Sequence, residues 1–331
     1  MKDSIIILKG SDIVRWAIVG FGSISKNRFL PALRQAGGTL VSVVTSHPEM
    51  IKMDGVKVVT EVTHLKDVDV VYIATPNALH KDQTIECARR GINVFCEKPV
   101  GMNAKEAYEM AEFCDKAGVT FGVAYMGRFN SYNILAKNII KSDELGEIGI
   151  IKASFSFVNT ERNKWRYDPS LSGGGAIMDI GIHLINTLRF MLGSNVIELE
   201  SINDNLNYAV DQNAASIMKF SNGSIALVDA SFNTYPSVSF EFRGDKGMMY
   251  VMDTLFQDYM GRVIVSKNGA FQLRDYIDKN PYVLEIEDME NAVKNHTKPA
   301  TDGWEAFEDM KVVDAWYESA KTDKKVRIEW K

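Results

Sequence analysis

A rhythm in the first third of the chain constrains its fold more than any other feature. Short runs rich in Val and Ile alternate with amphipathic stretches, and glycines mark the joints. The runs at 14–20, 40–46, 56–59, 67–74, 92–96 and 119–125 read as strands, and 21–38, 77–91 and 103–118 read as helices. Gly37 and Gly38 close the first helix, and Gly91 follows the second. The third has Asn103 at its N-cap, Glu106 three residues on, and Gly118 as its stop. Strands that are apolar at nearly every position are buried on both faces, which requires a parallel sheet with helices on each side. The spacing therefore predicts a doubly wound α/β domain over 13–132.

The first strand runs into Gly20-Phe21-Gly22-Ser23-Ile24-Ser25, a G-x-G-x-x-S turn that opens a helix. Gly20 permits the tight turn, Gly22 lets the backbone approach a pyrophosphate, and the helix N-terminus offers free N–H groups to phosphate. Ser25 stands in the third glycine's place and is small enough to keep the helix close to the sheet. In this setting the turn predicts a dinucleotide-binding Rossmann domain. An acid at the end of the second strand would bind the adenosine ribose and repel a 2′-phosphate. Here that end reads Thr45-Ser46-His47, with no acid before Glu49, Lys52 nearby and no arginine. The prediction is NADP, with NAD as the alternative.

The pattern changes in the remaining part, 133–331. Alternating segments turn at Asn222-Gly223, at 244–247 and at Asn268-Gly269, which are hairpin signals. They predict an α+β domain with a large, mostly antiparallel open sheet that binds substrate. An open face with apolar positions invites a second copy, so a homodimer or homotetramer through this sheet is expected. The amphipathic segment 303–321 is expected to pack back on the first domain. Residues 1–12 read as an extra edge strand or a loose lead-in, not a signal peptide. A net charge of −5 gives no footprint for nucleic acid or anionic membrane. The three cysteines, Cys87, Cys96 and Cys114, suit a reduced cytoplasm, and five scattered histidines predict no metal site.

Two places carry chemistry. Glu97-Lys98-Pro99 follows the fifth strand, and ligands of open parallel sheets bind at strand carboxyl ends. The fourth strand ends likewise in Ala74-Thr75-Pro76-Asn77, with Leu79 and His80 in the next turn. The other place is "GGGAIMDIGIH", 173–183. Read as a helix over 175–192, it sets Ile177, Ile180, Leu184, Leu188 and Met191 on one face. Asp179, His183 and Asn186 fall on another at i, i+4 and i+7. That polar stripe lacks Lys and Glu, and it holds the one side chain that titrates near neutrality. The three glycines would let the backbone pass something bulky.

Together the G-x-G turn, "EKP", "ATPNALH", "GGGAIMDIGIH", "NPY" at 280–282 and "DGWEAF" at 302–307 resemble the glucose–fructose oxidoreductase and inositol dehydrogenase (Gfo/Idh/MocA) family over 14–328. "VRWAIVGFGSIS", "GGTLVSVVTS" and "NKWRYDPSLSGGG" point to its NADP-linked branch. The resemblance implies hydride transfer between nicotinamide and a carbinol or carbonyl carbon of a sugar, polyol or related cyclic compound. It implies Lys98, Asp179 and His183 as catalytic residues. It implies cofactor contacts from Gly20, Phe21, Gly22, Ser23, Ile24, Thr45, Ser46, Ala74, Thr75, Pro76, Asn77, Leu79, His80, Glu97 and Lys98. Trp165, Arg166 and Tyr282 would reach the nicotinamide end from the second domain. Tyr125, Arg128, Trp165 and Asn186 are candidate substrate contacts. Many members carry an acid where this chain has Asn186, and an arginine can follow the second strand where it has Met50. A non-sugar substrate (a dihydrodiol or imine) and a non-catalytic NADP-binding regulator are the alternatives.

Overall fold

The computed structural model describes residues 13–160, 164–257, 260–274, 276 and 279–330; the lead-in at 1–12 lies outside the described residues. The first sheet contains β1 (Arg15–Val19), β2 (Thr39–Val44), β3 (Lys57–Val59), β4 (Val70–Ile73), β5 (Asn93–Glu97) and β6 (Phe121–Ala124). All its pairs are parallel, in the order β3-β2-β1-β4-β5-β6. The order reverses between β2-β1 and β4, which opens a crevice at the strands' carboxyl ends. The helices of this part are α1 (Leu30–Gln35), α2 (His80–Arg89) and α3 (Ala104–Ala117), and a π turn at Ser25–Phe29 precedes α1. On one face of the sheet Phe29 stacks on Tyr72 at 3.6 Å, and Trp16 meets Phe29 edge-on at 5.4 Å.

The second part adds α4 (Ser131–Lys141), β7 (Ile148–Ser156), α5 (Pro169–Ser172), α6 (Ile182–Leu192) and β8 (Val196–Asp204). There follow β9 (Asn213–Phe220), β10 (Ile225–Ser231), β11 (Ser237–Gly244), β12 (Met248–Met252), β13 (Arg262–Lys267) and β14 (Ala270–Arg274). The chain closes with α7 (Pro281–Asn295), α8 (Gly303–Thr322) and β15 (Val326–Arg327). The sheet has nine strands in the order β14-β13-β12-β11-β7-β10-β9-β8-β15, and only β7 and β10 pair in parallel. Its inner face, with Met218, Phe220, Val228 and Phe240, is buried against α6 and the turn before it.

The segment 169–192 is long and apolar enough to cross a bilayer, but 78% of its apolar stretch is buried here, as a core helix requires. It is not one regular helix. A π turn at Ile177–Gly181 precedes α6, and the Ile182 N–H reaches back five residues to the Ile177 carbonyl. The last helices return to the first sheet. α8 lies along α3, Trp304 Nε1 donates to Asp115 at 2.8 Å, and the Val123 N–H donates to the Thr301 carbonyl at 2.8 Å. α7 packs on α1, and its Glu290 accepts from Trp16 Nε1 at 2.9 Å.

Candidate active site

A hollow of about 670 Å³ lies between the carboxyl ends of the parallel strands and the inner end of the nine-stranded sheet. On one side the chain turns sharply after β1. Gly20 has φ +88°, and a Cβ there would sit 2.7 Å from the Ala74 carbonyl oxygen. Ser25 Oγ donates to the Gly20 carbonyl at 2.7 Å and closes the turn. At Gly22 a Cβ would meet nothing within 4 Å, so the backbone there borders open space. Gly22, Ser23, Ile24, Ala74, Thr75 and Asn77 line the hollow. Asn77 is buried and donates from Nδ2 to the Ser172 carbonyl at 2.8 Å, which joins the two lobes.

Lys98 enters from the end of β5. Its ammonium donates to both the carboxylate and the backbone carbonyl of Asp179, each at 2.8 Å. Arg166 Nε approaches the other Asp179 oxygen at 3.3 Å, and its guanidinium stacks over Trp165 at 4.6 Å. Burial alone would raise the Asp179 carboxyl. Lys98 and Arg166 outweigh it and hold the group well below the usual carboxylate range. His183 lines the same hollow, 6.0 Å from the Phe155 ring, and makes no hydrogen bond among the described residues. Burial, with the Lys98 charge beside it, pushes its imidazole well below 6.5, so the ring is neutral at physiological pH.

A carboxyl layer lies beneath. Glu97 accepts from Tyr72 Oη and from the Lys98 N–H, and burial pushes its carboxyl up. Glu285 of α7 is 2% exposed, and its Oε2 has no hydrogen-bond partner among the described residues. Burial, then the neighbouring Glu97, raises it well above the usual range. Tyr282 from the same helix reaches the hollow's wall.

The structure thus gathers Lys98, Asp179, His183, Trp165, Arg166, Glu97 and Tyr282 around one space with the glycine turn. His80 also borders it, but Nδ1 lies 3.0 Å from the Pro99 carbonyl oxygen and Nε2 2.9 Å from that of Thr75. It braces the two turns against each other and presents no free nitrogen. Phe21, Pro76 and Leu79 stand outside the lining, with Phe21 under Lys26 at 5.3 Å. Thr45 and Ser46 lie farther out at the end of β2, where Thr45 Oγ1 accepts from the His47 N–H at 3.2 Å.

Three residues read from sequence as substrate contacts face elsewhere. Tyr125 is 1% exposed and Asn186 1%. Asn186 accepts from Arg128 at 3.1 Å and donates to Asp309 at 2.6 Å, while Arg128 pairs with Glu305. Arg128 and Asn186 therefore belong to a network between α6 and α8, and Tyr125 is buried with its hydroxyl unpartnered among the described residues; none of the three lines the hollow. The π turn accounts for where Asn186 points. One residue more per turn rotates what precedes it relative to α6, so i+7 no longer aligns Asn186 with Asp179. The glycines of 173–175 also have a different neighbour than sequence suggests. A Cβ on Gly174 would lie 2.0 Å from Tyr317 Oη, and one on Gly175 1.9 Å from the Asp211 carbonyl oxygen. The bulky thing they pass is the chain itself. Sequence reading also missed the apolar wall of Phe155, Phe157, Leu255 and Phe256. The alternation through β7 and the residue after it marks Phe155 and Phe157, yet it reads equally as core.

A parallel sheet in this order, with a phosphate-type turn facing a lysine, a carboxylate and a neutral imidazole, defines a pyridine-nucleotide-dependent oxidoreductase. Residues 14–125 match the oxidoreductase family with an NAD-binding Rossmann fold, and 134–250 match the GFO/IDH/MocA C-terminal domain. The chain belongs to the Gfo/Idh/MocA family. It is 29% identical over 264 residues to a D-xylose 1-dehydrogenase (NADP(+)) of Haloferax volcanii, covering 79% of this chain and 81% of that one. It is 28% identical to the 1,5-anhydro-D-fructose reductase of Ensifer adhaerens, covering 91% and 96%. In fold it is similar to the aldose-aldose oxidoreductase of Caulobacter crescentus, with a TM-score of 0.90 at 23% identity over 96% of this chain and 100% of that one.

Proposed function

We propose that this oxidoreductase moves a hydride between NADP, in preference to NAD, and a carbinol or carbonyl carbon of a sugar, polyol or related cyclic compound. The observation that carries this reading is that Lys98 and His183, from different lobes, line one hollow beside the dinucleotide turn. The open backbone at Gly22 and the start of the first helix suit a pyrophosphate. The hydroxyls of Thr45 and Ser46 suit a 2′-phosphate. The first acid beyond them, Glu49, faces His47 at 3.5 Å. Relatives named for xylose and anhydrofructose support the substrate class.

When bound, the nicotinamide supplies or takes up the hydride. The chain's own groups handle the proton and the charge. In oxidation, neutral His183 accepts the hydroxyl proton as the carbinol hydrogen departs with its electron pair. Lys98 donates to the oxygen where negative charge gathers, in a site walled by Phe155 and Phe157. Asp179 holds the Lys98 ammonium at that point. Reduction runs the same transfers backwards. Free, buried Cys87, Cys96 and Cys114 suit a reducing compartment, and we assign the chain to the cytoplasm. Its assembly is a homodimer, or a homotetramer built from such dimers, joined through the open face of the nine-stranded sheet.

The test is turnover of NADP(H) and NAD(H) against a panel of aldoses and polyols, with Lys98→Ala and His183→Gln beside the wild type. Each substitution is expected to lower kcat by about 10²–10⁴. Because His183 lies well below 6.5, the acid limb of kcat/KM for oxidation is expected below pH 6.5. Lys98→Ala with undiminished turnover would remove the basis of this assignment.

A further inference from the structure

The catalytic helix starts in an unusual way. Its first free N–H groups are not capped by a neighbour in sequence but by Asp211, in the loop before β9. The Asp211 carboxylate accepts from the Gly175 N–H at 2.7 Å and the Ile177 N–H at 2.8 Å. Its backbone carbonyl accepts from the Ala176 N–H between them at 3.0 Å. Tyr317 of α8 donates to the same carboxylate at 2.7 Å. Asp211 is 3% exposed, and Gly174 and Gly175 leave room for the approach. The π turn begins at Ile177, the last of the three residues that Asp211 holds, and carries Asp179.

Helices normally keep their carbonyls in the i→i−4 ladder, and a π turn is where that ladder loosens. Here the loosened turn is where the Asp179 carbonyl takes the Lys98 ammonium. Downstream the turn leads into Gly181, which faces Trp316 of α8 with room for no more than ordinary contact, 3.4 Å from where a Cβ would stand. Upstream, the grip of Asp211 on Gly175, Ala176 and Ile177 fixes its start. We propose that Asp211, backed by Tyr317, is a positioning residue for hydride transfer. It holds the π turn so that carbonyl and carboxylate of Asp179 both meet Lys98. This rests on the assignment of Lys98 as the group that stabilises charge on the substrate oxygen.

The experiment is a double-mutant cycle. Asp211→Asn and Tyr317→Phe are made alone and in the Lys98→Ala background. kcat, KM for NADPH and for the best sugar of the panel, and Tm are measured for each. Asn offers one acceptor oxygen where two N–H groups wait, so Asp211→Asn should lower kcat about 10–100-fold, with KM for NADPH within about twofold. Tyr317→Phe leaves the carboxylate in place and should lower kcat about 3–10-fold. In the Lys98→Ala background each should cost less than about twofold, because groups that act as a unit are not additive. Equal fold-losses in both backgrounds, or wild-type kcat in Asp211→Asn, would overturn the positioning role. If Asp211→Asn does not fold, the Tyr317→Phe cycle decides alone. Full turnover in Lys98→Ala by itself would instead sink the underlying mechanism, so the two failures are distinct.

Discussion

Glu285 is a carboxylic acid placed where a carboxylate cannot comfortably exist. One oxygen has no hydrogen-bond partner among the described residues, and Glu97 lies close enough to oppose a second negative charge. The folded protein therefore keeps the proton to higher pH than the unfolded chain does. For a group raised in this way, the stability it lends is full below the unfolded value near 4.5 and is lost as pH rises towards the folded one. Above that window, ionisation favours the unfolded chain. Glu285→Gln keeps the shape and removes the proton's leverage. It is expected to stabilise the protein by about 1–3 kcal/mol at pH 8 and to change little near pH 4.5. Thermal unfolding of both proteins across this range checks it, and a gain that does not grow with pH would show that Glu285 is not held protonated. Asp179 has the opposite sign, because two cations face it where Glu285 meets an anion.

At the scale of elements, the 177–192 helix works with two faces. One carries Asp179 and His183 towards the hollow. The other carries Asn186 and Arg189 into α8, where Arg189, 4% exposed in its side chain, meets fully buried Asp309 at 2.5 Å. Burial raises Asp309, while Arg189 and Arg128 oppose that. A pair this deep is held together because each charge would be stranded without the other. Asn186→Ala should thus cost about 1–3 kcal/mol of stability by leaving Asp309 and Arg128 short of a partner. It should leave sugar KM within about twofold, as a residue off the hollow would; a tenfold rise in KM would return Asn186 to the substrate. The sequence could announce the parallel sheet, the glycine turn and the strand-end lysine, because these depend on local periodicity and on where strands stop. It announced the hairpins through their Asn-Gly turns at 222–223 and 268–269 and the glycines at 244 and 247. It could not announce the π turn, since 3.6-residue spacing fits an uninterrupted helix just as well. Nor could it pair Asp211 with Gly175, 36 residues away, because nothing local records that approach. Residues lost or misplaced in the reading are those whose partners come from distant elements.

At the scale of the molecule, the nine-stranded sheet has one face spent and one face open. The inner face packs on the 177–192 helix, so anything joining the outer face leaves the hollow free. Across that outer face runs an apolar band. Ile217 is 57% exposed and Leu227, directly opposite it in the ladder, 44%. Ile225 and its partner Ile150 are each 38% exposed, and Ile202 on β8 is 72% exposed. Lys152 and Glu241 pair at the flank at 4.0 Å. An apolar band of this extent across four neighbouring strands is more than scattered surface hydrophobes, and such a band suits a twofold contact with another copy. A stable contact of that kind needs roughly 800 Å² from each partner. Replacing Ile217 and Leu227 together by Glu would set four carboxylates against one another across the twofold axis. Light scattering is expected to find the wild type as a multiple of the 37.1 kDa chain and the double variant at a smaller multiple or the single chain. Sugar KM should stay within about twofold, since the substitutions lie on the face away from His183 and Lys98. A wild type that runs as one chain at micromolar concentration, or a double variant that keeps its full mass, would mean that the open face serves some purpose other than self-association.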